Sequence, residues 1–265
     1  MTFRVLVCAK QVPDTEKIKI DPKNGSLQRH GAPVKMNPDD AHALEAALAI
    51  KDAVKDTTVS VLSMGPRQAE DMLFECLAMG ADHAVLVSDK ALAESDTYAT
   101  SYVLTCALQK MGAFDLILCG SKAQDGETGQ VGPEVAGRLG IPQVSFVDQM
   151  EVEPDGRHLL VRRPYRRGHE MVRVKMPCLL TVSGALNVPR FMSIPRIFEE
   201  NPDLCVWDAV QAGVDPEKAG LQASPTRVID SFAPEKGGAG VMIKGDSEQE
   251  TAALLLAQLK KIHAI

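Results

Sequence analysis

Asp115-Leu116-Ile117-Leu118-Cys119-Gly120-Ser121-Lys122-Ala123-Gln124-Asp125-Gly126-Glu127-Thr128-Gly129-Gln130-Val131-Gly132-Pro133 is the stretch whose reading decides the fold. Leu116 to Cys119 is a short apolar run of the kind a buried parallel strand shows. A loop containing Gly120, Gly126, Gly129 and Gly132 follows, and a helix is expected from Pro133 through Leu139. Proline suits a first helical turn because its missing N–H has no partner there. Strand, glycine-rich loop and helix N-terminus together present bare backbone N–H groups at the positive end of a helix dipole. The loop therefore reads either as a nucleotide site or as an ordinary strand-to-helix connection. Asp125 and Glu127 oppose a bare phosphate and fit a ligand that also offers hydroxyl or amide donors.

Working outward, strands are expected at Phe3 to Val7, Val59 to Ser63, Ala84 to Val87 and Val144 to Val147. Helices follow Asn37, Pro66 and Asp96. That alternation predicts a doubly wound, mainly parallel α/β sheet, Rossmann-like or HUP-like, with ligands at the carboxyl ends of its strands. Ala9-Lys10-Gln11 lies at such an end, and Lys10 reads as a phosphate or flavin contact or as a solvated lysine. Asn37-Pro38-Asp39-Asp40 is a helix start, with Asn37 as cap and the acids complementing the dipole. Asn24-Gly25 and Asp155-Gly156 are hairpin turns.

The second half changes character. Between Arg162 and Lys175, six basic residues face one acid, Glu170. This is a solvated hairpin face, a docking site for an acidic partner or a contact for ligand phosphates. The proline-punctuated run from Leu186 to Phe198 places apolar side chains on a loop, either as a contact surface or folded onto the core. After Trp207 the frequent Gly and Pro predict an extended arm. Ser247 to Glu250 is a capping box, and Ala252, Leu255, Leu256, Leu259 and Ile262 then form an apolar stripe for the chain's own core or a partner. The expected division is a nucleotide-binding domain over 1–222, with an added β-hairpin, and an arm with a helix over 223–265.

With 45% hydrophobic residues, 24% charged and a net charge of −6, the chain reads as a globular protein and not as a general nucleic-acid binder. No apolar run is long enough for a membrane span. The six scattered cysteines predict a reduced, cytoplasmic setting without disulfides or structural zinc. No histidine pattern predicts a metal, and no catalytic triad stands out. A nucleotide site without catalytic side chains points to a module that holds a cofactor.

Five segments carry a resemblance over essentially the full length: 5–15, 36–40, 119–133, 173–182 and 187–195. Together they resemble the β subunit of electron transfer flavoproteins, most closely the electron-bifurcating group. The resemblance implies a heterodimer with an α subunit that holds a redox FAD, and an adenine nucleotide in β at the glycine loop. In the bifurcating group that nucleotide is a second FAD; in most aerobic members it is AMP. It further implies an acyl-CoA or other flavin dehydrogenase as partner, with NADH and ferredoxin as further electron partners and NADH oxidation in the α/β complex. By resemblance Ala9, Asn37, Asp39, Met64, Ala123, Asp125, Thr128, Gln130 and Val131 line the nucleotide site, to which the loop's own chemistry adds Gly126 and Gly129. Residues 187–199 resemble the loop that anchors a dehydrogenase, with Pro189 and Pro195 around Ile194 where the family usually has Leu. Arg166-Arg167 stands where members often carry acids. The reading of another class is an ATP-binding ligase or stress protein on the same sheet, although the pyrophosphatase loop of such ligases is missing.

Overall fold

The structure, a computed structural model, describes residues 2–14, 33–229 and 240–265. The Asn24-Gly25 turn lies outside them. In chain order the elements are β1 (Phe3–Cys8), β2 (Gln11–Pro13), β3 (Val34–Met36), α1 (Pro38–Ala53), β4 (Thr57–Met64), α2 (Ala69–Met79), β5 (His83–Val87) and α3 (Thr97–Met111). Then come β6 (Leu116–Gly120), α4 (Val131–Leu139), β7 (Gln143–Val147), β8 (Gln149–Val152), β9 (His158–Tyr165), β10 (Gly168–Lys175) and β11 (Cys178–Val182). The chain ends with α5 (Ile194–Ile197), β12 (Leu204–Trp207), α6 (Gly220–Ala223) and α7 (Glu248–Lys261).

Seven parallel strands form the central sheet in the order β12-β5-β4-β1-β6-β11-β7. Along β1, Val5 and Val7 enter one apolar cluster while Leu6 and Cys8 enter the other. Both faces are covered, so the strand reads as a continuous apolar run without polar alternation. Leu44 and Leu48 of α1 and Met72 and Leu73 of α2 pack on one face; Val103 and Leu104 of α3 and Val135 of α4 pack on the other. This is a doubly wound sheet. The winding runs from β1 outward through β4 and β5, then restarts on the other side of β1 with β6. The carboxyl ends of β1 and β6 therefore flank the switch point, where such sheets bind ligands.

Two features add to the sequence reading and a third departs from it. The antiparallel excursion has three strands, β10-β9-β8, and β11 then returns to the parallel sheet between β6 and β7. Leu204–Trp207, between the apolar loop and the expected arm, is a strand on β5 at the sheet edge. Residues 208–224, expected as the start of an extended arm, pack against the core: Ala209, Ala212, Val214 and Ala219 are buried. Small side chains can bury here even though Gly and Pro interrupt the helices.

Candidate nucleotide site and docking loop

The glycine loop leaves β6 and is clamped by the first turn of α1. Asn37 makes no capping bond, contrary to expectation. Its Nδ2 donates to the Lys122 carbonyl at 2.9 Å, and its Oδ1 accepts from the Gln124 N–H at 3.0 Å. Asp39 accepts from the Ser121 hydroxyl. Asp40 accepts from the Lys10 N–H at 2.8 Å and the Gly120 N–H at 2.9 Å, joining the ends of β1 and β6. A Cβ on Gly120 would stand 2.4 Å from Asp40 Oδ1 and 2.9 Å from the Asp39 backbone carbon, so only glycine admits this approach.

Burial, opposed by the hydrogen bonds from Lys10, Asn37 and Gly120, pushes the Asp40 carboxyl up to about 7 from its ordinary 3.8. A raised folded-state value means this group stabilises fully below about 4, and the contribution falls away as pH rises toward 7. In Asp40→Asn one backbone N–H faces an amide NH2 and loses its acceptor. We expect about 1–3 kcal/mol of lost stability at pH 5 and a flatter stability profile between pH 4 and 7, read by urea unfolding. A variant with the wild-type profile would show that Asp40 does not titrate with folding.

Glu127 (φ 52°) and Gly129 (φ 64°) turn the loop through the left-handed region. Among the described residues the N–H groups of Gly126, Thr128, Gly129 and Gln130 make no hydrogen bond within the chain. They precede the N-terminus of α4, which starts at Val131, a little earlier than expected, with Pro133 still in its first turn. Unpaired donors at a helix start fit a phosphate-bearing nucleotide. Lys10 Nζ grips both Asp125 oxygens at 2.7 and 2.8 Å, so this lysine neutralises the loop's own acid. Lys122 does the same for Glu127 at 2.9 Å. Ala123 accepts from the Glu127 N–H, and Gln130 from the Thr97 hydroxyl. Ala9 and Met64 stand at the ends of the paired strands β1 and β4. The Cys119 thiol is held protonated by its hydrogen bond with Cys8 and by burial, and offers no thiolate.

The run 187–198 does not fold onto the core. Its polar groups anchor it to α1 and α2: Asn187 Nδ2 donates to the His42 carbonyl, and Arg190 bonds Glu45 with Nε and Nη2 and Asp52 with Nη2. The Ser193 N–H donates to the Ala78 carbonyl at 2.8 Å. Phe191 is 97% exposed and Ile194 71%, while Val188 and Phe198 also face outward. Pro195 is exposed beside Ile194, and Pro189 is half-buried. The loop is held rigidly by its polar residues and presents its apolar ones. In the basic hairpin, Arg162 pairs with Asp148, Arg163 with Glu170 and Arg173 with Glu153, which dissolves much of the positive patch. Sequence reasoning missed Asp40 as a clamp and Arg190 as an anchor; the one hint was a helix start with more acids than a dipole needs.

Residues 24–212 match the electron transfer flavoprotein domain. The chain belongs to the electron transfer flavoprotein family. It is 45% identical over 264 residues to the electron transfer flavoprotein subunit beta of Clostridium acetobutylicum, covering 99% of this chain and 100% of that one. It is 48% identical over 265 residues to the caffeyl-CoA reductase-Etf complex subunit CarD of Acetobacterium woodii, and 40% identical over 272 residues to the acryloyl-CoA reductase electron transfer subunit gamma of Anaerotignum propionicum. Both comparisons cover 99% of this chain and 100% of the relative. As an electron transfer flavoprotein β-type chain, it has among its described residues no helix long and apolar enough to cross a membrane.

Proposed function

We propose that this electron transfer flavoprotein β-type chain pairs with an α subunit and binds FAD at the 119–133 loop. In that complex it carries electrons between a flavin dehydrogenase and a further acceptor. The observation that carries the nucleotide reading is the set of unpaired N–H groups of Gly126, Thr128, Gly129 and Gln130, on a loop clamped at the switch point by Asn37, Asp39 and Asp40. FAD supplies the redox chemistry when bound. The chain supplies backbone donors for the diphosphate, and Asp125 and Thr128 lie within the loop to meet hydroxyl or ring groups. The naming of relatives within CoA-reductase complexes supports an acyl-CoA or related dehydrogenase as the docking partner. NADH oxidation and transfer to ferredoxin belong to the same proposal, by resemblance to the bifurcating group.

The alternative keeps the scaffold and places AMP in the loop, so that electrons pass only through the α-subunit flavin. Extraction of the purified α/β complex separates the two. Two flavins per heterodimer and no AMP is the expected result. One flavin with one AMP would remove FAD from this chain, and no second nucleotide of either kind would remove the site.

A further inference from the structure

Beside the docking loop, α2 and α5 enclose a groove of about 380 Å³. Its lining includes Phe74, Met192 and Ile197, each partly exposed, which form an apolar floor. Four carboxylates, Asp71, Glu75, Glu199 and Glu200, also line it. Among the described residues none of the four has an ion-pair partner, whereas neighbouring Glu70 is paired with Arg67. Arg196 lies in the lining too, but its Nη1 is committed to the carbonyls of Leu77 and Ala81 at 3.0 and 2.8 Å.

We infer that this groove receives a basic, apolar polypeptide segment of the dehydrogenase, a hydrophobic side chain entering over Phe74 with lysine or arginine beside it. The inference rests on the docking reading of residues 187–199 and adds a second, charged contact to the apolar one. Charge complementarity selects the occupant. Like charges gathered around an apolar surface repel one another, and burial together with the Asp71 charge already raises the Glu75 carboxyl above its ordinary value. A cation entering the groove relieves that repulsion; an acidic or neutral segment does not. Continuity selects the partner, because Met192 and Ile197 belong both to the groove and to the loop that presents Ile194. The loop provides apolar affinity, and the acids provide steering and orientation.

The test uses the α/β complex and two probes. One is a short labelled peptide alternating lysine and leucine, with its glutamate–leucine counterpart. The other is a short-chain acyl-CoA dehydrogenase reduced by its substrate. We expect only the lysine peptide to bind. The triple variant Asp71→Asn, Glu75→Gln, Glu200→Gln should weaken it at least about tenfold, as loss of complementary charge does. Removing three charges outside the groove, at Glu94, Glu151 and Glu217, should leave it unchanged. Electron transfer from the dehydrogenase, read as flavin bleaching, should lose most of its salt dependence in the groove variant.

Absence of lysine-peptide binding, equal binding of the two peptides, or a groove variant that behaves as wild type in both assays overturns the proposal. Loss of α/β co-elution in the groove variant also overturns it, since the groove would then hold the α subunit. Ile194→Ala separates this inference from the reading beneath it. Truncating a central apolar anchor typically costs on the order of 2 kcal/mol, about thirtyfold in affinity for the dehydrogenase. A response to Ile194→Ala with none to the groove variant leaves the docking loop and removes the groove; no response to either removes both.

Discussion

Gly129→Val is expected to purify with its α subunit and without a nucleotide in the β chain. Gly129 has a φ of +64°, and a Cβ there would lie 3.1 Å from the Ser121 carbonyl oxygen. A β-branched residue in that region costs on the order of 1–3 kcal/mol, and the loop can relieve it only by turning its N–H groups away from the ligand. Ser121 cannot move to make room: its N–H donates to the Val182 carbonyl and its hydroxyl to Asp39. Gly126 is the contrast. It has no positive φ, and nothing lies within 4 Å of a Cβ built on it. Gly126→Ala thus leaves the loop intact and reports only whether a ligand lies against that backbone. With FAD in the β chain, Gly129→Val keeps about half of the flavin absorbance. With AMP there, flavin is unchanged, AMP is lost and stability falls by linkage, about 2.7 kcal/mol at a hundredfold excess over Kd. Full nucleotide retention would show that the ligand sits on another loop.

What was legible in the sequence follows from period and local chemistry. β1, β5 and β6 are largely apolar because both faces of the sheet are covered, β4 carries Val59, Val61 and Leu62 beside the buried Ser60 and Ser63, and α1 shows its buried stripe at Leu44, Ala47 and Leu48. Asp96 caps α3 as expected, accepting from the Ala99 N–H at 3.0 Å. The glycine loop announced itself by composition, but its clamp did not. Asn37 reaches the Lys122 carbonyl across 85 residues of sequence, and Asp40 reaches the Gly120 N–H across 80. Only the strand order brings them together. A cap reading was the reasonable local inference for Asn37, and tertiary bonding overrode it. Leu204–Trp207 is apolar throughout, but four residues are too short a run to tell a strand from a loop by period. Apolar residues in the proline-rich run 187–198 serve a core or a surface equally well by composition. Arg190, bonded to Glu45 and Asp52, decides in favour of the surface.

Deleting residues 246–265 is expected to abolish co-purification with the α subunit. α7 carries its own start and stop signals. The Ser247 hydroxyl accepts from the Glu250 N–H at 3.2 Å, the Glu250 carboxylate accepts from the Asp246 N–H at 2.8 Å, and Lys260 and Lys261 occupy the last turn. Local signals of this kind set where a helix begins and ends, but a helix of this length is marginal in water unless one face packs. None of its residues is buried in the described chain, and Leu254, Leu255, Leu256 and Ile262 stand 44–61% exposed. That apolar face calls for a covering surface, and the heterodimer we propose provides one. Burying these four side chains contributes on the order of 5 kcal/mol, roughly three to four orders of magnitude in affinity. The measurement is size-exclusion chromatography of the co-expressed pair at micromolar concentration. Leu255→Asp with Leu256→Asp serves as a second variant that keeps the helix in place while removing its apolar face, and it should separate the subunits as the deletion does. Co-elution of α with both variants would place the partner surface elsewhere on this chain.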